Sequence, residues 1–135
     1  MGERGQIENA ILTWFIGADQ HDLGLMTSRL ANDVRYSINR PDGSQLGPLI
    51  GPDAVRTYLA EHMKLEPPGK NMRHLVSNLY FLNETDAEVE VNYYLTNVAV
   101  VDKRPVVVGH GEYRDRWVKE SGRWLCSERV NTALS

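Results

Sequence analysis

A chain of 135 residues with 41% apolar and 24% charged residues has the balance of an ordinary globular protein and the length of one domain. Its net charge of −3, with no basic run, argues against a nucleic-acid binder. A single cysteine, Cys126, excludes an intrachain disulfide and any CxxC metal pattern, and no apolar stretch approaches the ~20 residues of a membrane span.

The opening MGERGQIEN has no apolar signal core, so a cytoplasmic protein is expected. Residues 5–19 have helical spacing: Ile7, Ile11, Trp14, Phe15 and Ala18 form a stripe that Leu12 and Ile16 widen, which predicts a helix largely enclosed by the fold. A second helix is expected over 22–31, capped by Asp22. Val34, Tyr36 and Ile38 alternate, predicting a strand over 33–39. The Gly- and Pro-rich segment 40–52 reads as a loop, with the length of a lid at a pocket mouth. Pro52 and Asp53 suit the first turn of a third helix, which runs to about Met63 and stops at EPPGK.

The remainder is β-rich. Strands are predicted over 71–82, 86–101, 105–119 and 123–132, joined at NETD, VDKR and KESG as an antiparallel meander. Strands this long bend or bulge, and Gly109 and Gly111 are the candidate sites. Helices followed by an antiparallel sheet define the α+β class. A curved sheet wrapped over a helix encloses a blind cavity.

Within that plan two residues stand out. Asp19 falls between Phe15 and Leu12 on the helical wheel, inside the apolar stripe, although the plainer alternative is that it ends the helix facing solvent in the DQHD turn or caps the next helix. His74 lies on a strand of mixed polarity, where a half-buried histidine without a role is the plainer alternative. Tyr36 and Tyr93 project from apolar strand faces and need partners for their hydroxyls. Tyr94 points the other way, towards an assembly face. Cys126, beside Trp124 and Leu125, reads as a small core residue. His21 and His62 read as surface positions, and no His/Asp spacing suggests a metal.

Four segments carry a resemblance: WFIGADQHDLGLMTSRLANDVRY, GPDAVRTYLAEHM, MRHLVSNLYF and GHGEYRDRWVKESGRWLCSER. In this order and spacing, covering nearly the whole chain, they resemble the SnoaL-like and scytalone-dehydratase-like families of the nuclear-transport-factor-2-like (NTF2-like) superfamily. The resemblance implies a cone-shaped sheet around N-terminal helices, filling residues 1–135 as one domain. It also implies a catalytic Asp at the position of Asp19, hydrogen-bonded to a catalytic His at the position of His74. Such a pair holds the imidazole in one tautomer and stabilises the imidazolium formed when its other nitrogen takes a proton. Trp14 matches a pocket-lining position. Tyr36, Tyr93 and Arg129 match places where relatives contact substrate, although a solvent-facing or salt-bridged Arg129 is at least as good a reading. The stretch YYLTNVAV lacks the second histidine of scytalone dehydratase, which puts that particular reaction in doubt. The implied function is a cofactor-independent lyase or isomerase acting on a small apolar cyclic molecule, steroid-like or polyketide-like, by dehydration, isomerisation or cyclisation. The alternative is a non-catalytic pocket domain. A dioxygenase β-subunit fits poorly, because those chains are longer. A homo-oligomer is expected through the sheet, with Tyr94, Val98, Val100 and Val107 covered.

Overall fold

The chain starts with a long helix because its apolar residues recur every three to four positions. In a computed structural model, which describes residues 2–65 and 71–135, α1 spans Glu3–Gln20. Ile7, Ala10, Ile11, Trp14 and Phe15 are buried along one side. Leu12 and Ile16 are not part of that stripe: they are 38% and 48% exposed, because the sheet covers only one side of the helix.

Helix α1 ends at His21, which takes a left-handed conformation and donates its N–H to Ala18. The N–H of Asp22 goes to Gly17, and the Asp22 carboxylate then caps α2 (Leu23–Thr27) by accepting the N–H of Leu25. Gly17 makes this reversal possible. A Cβ there would lie 2.8 Å from the backbone nitrogen of Met26, so only glycine lets the two helices come this close.

Helix α2 is five residues long rather than the ten expected. Leu30 already belongs to β1 (Leu30–Asn39), which buries Ala31, Val34, Tyr36 and Ile38. The amphipathic spacing over 22–31 therefore spans a short helix and the start of a strand. Segment 40–52 is likewise not all loop. Gln45–Ile50 forms β2, antiparallel to β1, with Leu46 and Leu49 packed on the core despite the flanking Gly and Pro. Helix α3 (Pro52–Met63) follows, with proline in its first turn and Val55 and Leu59 buried. The EPPGK segment expected to stop it includes residues 66–70, which lie outside the described residues.

Strands β3 (Met72–Leu82), β4 (Glu88–Val101), β5 (Arg104–Glu120) and β6 (Arg123–Ala133) form the expected meander. Two of its hairpins turn on two residues each. Asp102–Lys103 and Ser121–Gly122 both have positive φ, the backbone of turns that match the twist of the flanking strands. Strand β1 lies parallel to β6, giving the six-stranded order β2-β1-β6-β5-β4-β3. The sheet is curved and unclosed, and α1 lies in its concave side. The register slips between Asn97 and Val98, opposite Val107 to Gly109, so the bulge falls beside Gly109. Gly111 pairs regularly with Leu95. Among the described residues, no helix is long and apolar enough to cross a membrane.

Candidate active site

The end of α1, the open end of the sheet and α3 enclose a cavity of about 290 Å³. Trp14, Phe15 and Ala18 form the α1 wall, and Tyr58, Leu59, His62 and Met63 form the α3 wall. The sheet contributes Tyr36, His74, Leu95, Asn97, Tyr113 and Asn131. Ligand pockets are usually apolar chambers with a few placed polar groups, and this one lies at the small end of their range.

Asp19 and His74 meet beside it. The Oδ1 of Asp19 lies 2.6 Å from His74 Nδ1 and also accepts the backbone N–H of His74 at 3.1 Å. Both side chains are largely buried, at 11% and 15% exposure. The contact follows from the topology. The C-terminal turn of α1 ends against the start of β3, and one carboxylate holds both the backbone and the ring of the same residue. With Nδ1 committed to Asp19, Nε2 is the ring nitrogen left for a molecule in the cavity, which His74 lines. The donor and acceptor roles follow the tautomer in which Nδ1 carries the proton.

Trp14 and Tyr36 both line the cavity, with their rings edge to face at 5.6 Å. Tyr36 has Asn131 and Tyr113 as neighbours on the cavity wall. Burial pushes the phenols of Tyr36 and Tyr113 well above the ordinary tyrosine range, and the Arg129 guanidinium only partly offsets this. Both are therefore neutral hydrogen-bonding groups at physiological pH.

Tyr93 and Arg129, expected to contact substrate, stand behind the cavity wall. Neither is among the cavity-lining residues. Asp115 is fully buried and accepts hydrogen bonds from both: Arg129 Nε at 2.9 Å, its Nη2 at 2.8 Å and the Tyr93 hydroxyl at 3.0 Å. Trp117 Nε1 completes the shell at 3.1 Å. Burial alone would lower the Arg129 pKa, but Asp115 together with the neighbouring Tyr93 and Cys126 raises it and holds the guanidinium charged. The guanidinium lies over the ring of Trp14 at 4.6 Å, so this cluster supports the cavity wall from behind.

The sequence did not single out Tyr58, Asn97, Tyr113 or Asn131 as cavity residues. His62, expected at the surface, is exposed but also lines the cavity and stacks on Tyr58. Of segment 40–52, expected to border the pocket mouth, only Arg40 lines the cavity, because β2 runs along the sheet edge. The alternation of Tyr113 with Gly111, Asp115 and Trp117 was the available signal for its inward direction. Cys126 is buried, and burial raises its thiol pKa, so it is an inert core residue. Among the described residues, no group of three or more His, Cys, Asp or Glu is placed to hold a metal ion.

Such a cone of curved sheet around a helix, with a half-enclosed cavity at its open end, defines the NTF2-like class of α+β proteins, also described as cystatin-like. Within that class the chain belongs to the SnoaL-like domain family, whose model matches residues 1–130. Three solved structures illustrate the likeness. ActVI-ORFA from Streptomyces coelicolor is 15% identical, with 98% of each chain covered and a TM-score of 0.81. A Catenulispora acidiphila protein in complex with S-DNPA is 18% identical, covering 96% of this chain and 92% of that one, with a TM-score of 0.78. An NTF2-like protein from Novosphingobium aromaticivorans is 15% identical, covering 98% and 82%, with a TM-score of 0.79. At these identities the likeness is one of fold. No curated protein matches the sequence significantly.

Proposed function

We propose that this protein is a cofactor-independent acid–base enzyme of the lyase or isomerase type. Its substrate would be a small, largely apolar cyclic molecule bearing oxygen, of the size of a polyketide-derived or steroid-like ring system. The observation that carries this reading is the 2.6 Å contact between Asp19 and His74 at the wall of a largely apolar cavity. In the mechanism we infer, His74 Nε2 removes a proton from a carbon next to a substrate carbonyl. Asp19 holds the ring and stabilises the imidazolium. A neutral phenol, Tyr36 or Tyr113, supports the oxygen on which negative charge develops, and His74 then returns the proton to carbon or to a leaving oxygen. Dehydration, isomerisation and ring closure all share this first step, which a positioned base accelerates by roughly 10²–10⁴-fold.

The first step can be tested without the natural substrate. A bicyclic ketone such as 2-tetralone is incubated in deuterated water, and loss of its α-proton signal is followed by NMR. The wild-type protein should speed exchange, and His74→Ala should not. Binding of the ketone with no exchange above buffer would replace this reading by that of a non-catalytic binding domain.

A further inference from the structure

The concave face of the sheet places three residues in one row. His74 on β3 is registered against Asn97 on β4, and Asn97 against Gly109 on β5. Side chains of directly paired residues stand about 4.5–5.5 Å apart at Cβ, so the Asn97 carboxamide is the immediate neighbour of the proposed base. Gly109 leaves the room it occupies: a Cβ there would lie 3.1 Å from Asn97 Nδ2.

Asn97 is polar without a partner. Its Oδ1 is buried and accepts no hydrogen bond. On the same wall, His74 Nδ1 is held by Asp19. Among the described residues, one other buried side-chain atom lacks a partner, Asn92 Oδ1, and Asn92 does not line this cavity. A buried acceptor without a donor is unfavourable, and native structures generally keep one only for a reason.

We propose that Asn97 reads a hydroxyl group on the ligand. A small rotation of its carboxamide presents Oδ1 to the cavity, where it accepts the ligand's O–H. That acceptor favours an uncharged alcohol or phenol over a carboxylate or an ether, neither of which has a proton to give. The proposal needs the cavity to be a ligand site, as the function proposed above has it, but it does not need catalysis.

The test is calorimetric binding of three probes of one shape: 2-naphthol, 2-methoxynaphthalene and naphthalene. Wild-type protein should bind 2-naphthol about tenfold more tightly than 2-methoxynaphthalene, as one neutral hydrogen bond allows. Asn97→Leu, similar in volume, should erase that preference while leaving naphthalene affinity within about threefold, a change too small to reflect a lost hydrogen bond. His74→Phe should keep the preference. If Asn97→Leu does not fold, Gly109→Ala gives a second arm. Gly109 lacks a left-handed φ, so the added methyl presses on Asn97 without backbone strain and should weaken the preference. A wild-type protein that binds none of the probes, or all alike, overturns the proposal. So does a preference kept in both Asn97→Leu and Gly109→Ala, or lost in His74→Phe. Because binding is read without turnover, failure of His74 to move a proton leaves the result standing.

Discussion

Asp115 and Arg129 show what a buried charge requires. The carboxylate accepts from Tyr93, Trp117 and two nitrogens of Arg129, and the ion pair is closed off from water. Removing one partner leaves the other charge uncompensated, which typically costs about 3–5 kcal/mol. Arg129→Met should therefore lower the urea-unfolding free energy by about that much. A loss near zero would show that the pair contributes nothing net. The buried phenols make a second prediction. Tyr36, Tyr93 and Tyr113 all have pKa values raised first by burial, so each favours the folded state while protonated. That contribution is complete below the unfolded tyrosine pKa of about 10 and is lost as pH rises beyond it. In an absorbance titration, three of the six tyrosines should ionise only as the protein unfolds at alkaline pH. Six independent titrations near pH 10, with the fold intact, would contradict the burial. The residue level was only partly legible in the sequence. Asp19 could be placed on the inner arc of α1 by helical spacing, but its meeting with His74 depends on where β3 crosses the helix. Tyr93 has inward parity as read, but parity cannot tell a cavity wall from an ion pair behind it.

Among the elements, the turn from α1 into α2 decides where Asp19 points. Gly17 lies against the Met26 backbone, and a methyl there must push the two helices apart. Gly17→Ala should cost about 1–3 kcal/mol by overpacking and should also loosen the Asp19–His74 contact. Thermal unfolding read alongside the His74 imidazole NMR signals checks both effects. An unshifted melting temperature would show that the helices have slack. The long strands of the meander were legible because alternating Val89, Val91, Tyr93 and Leu95 leave no helical alternative, and short polar turns separate them. Strand β2 was not. Its six residues include Gly47 and Pro48, and only pairing with β1 gives them strand form. The short α2 was overextended for the converse reason: Leu30 continues the helical spacing while its backbone already joins β1.

At the scale of the molecule, the convex face of the sheet exposes several large apolar side chains among its polar ones. Leu75, Tyr94, Val100 and Val107 are each at least 44% exposed. Such a face is the proposed surface of a homodimer, in which a second copy covers these side chains. Light scattering at tens of micromolar protein should give twice the chain mass, and Tyr94→Arg should give a monomer. A monomeric wild type would end that proposal. The concave face carries the central claim, that Asp19 and His74 act as one proton-transfer unit. Its most direct test is the α-proton exchange rate of a bicyclic ketone measured for wild type, Asp19→Asn, His74→Gln and the double variant. Groups that work as a unit are not additive. Each single change should cost roughly 10²–10⁴-fold, and the double change should cost little more than either. Exchange as fast in Asp19→Asn and His74→Gln as in wild type, or losses that multiply in the double variant, would contradict the account.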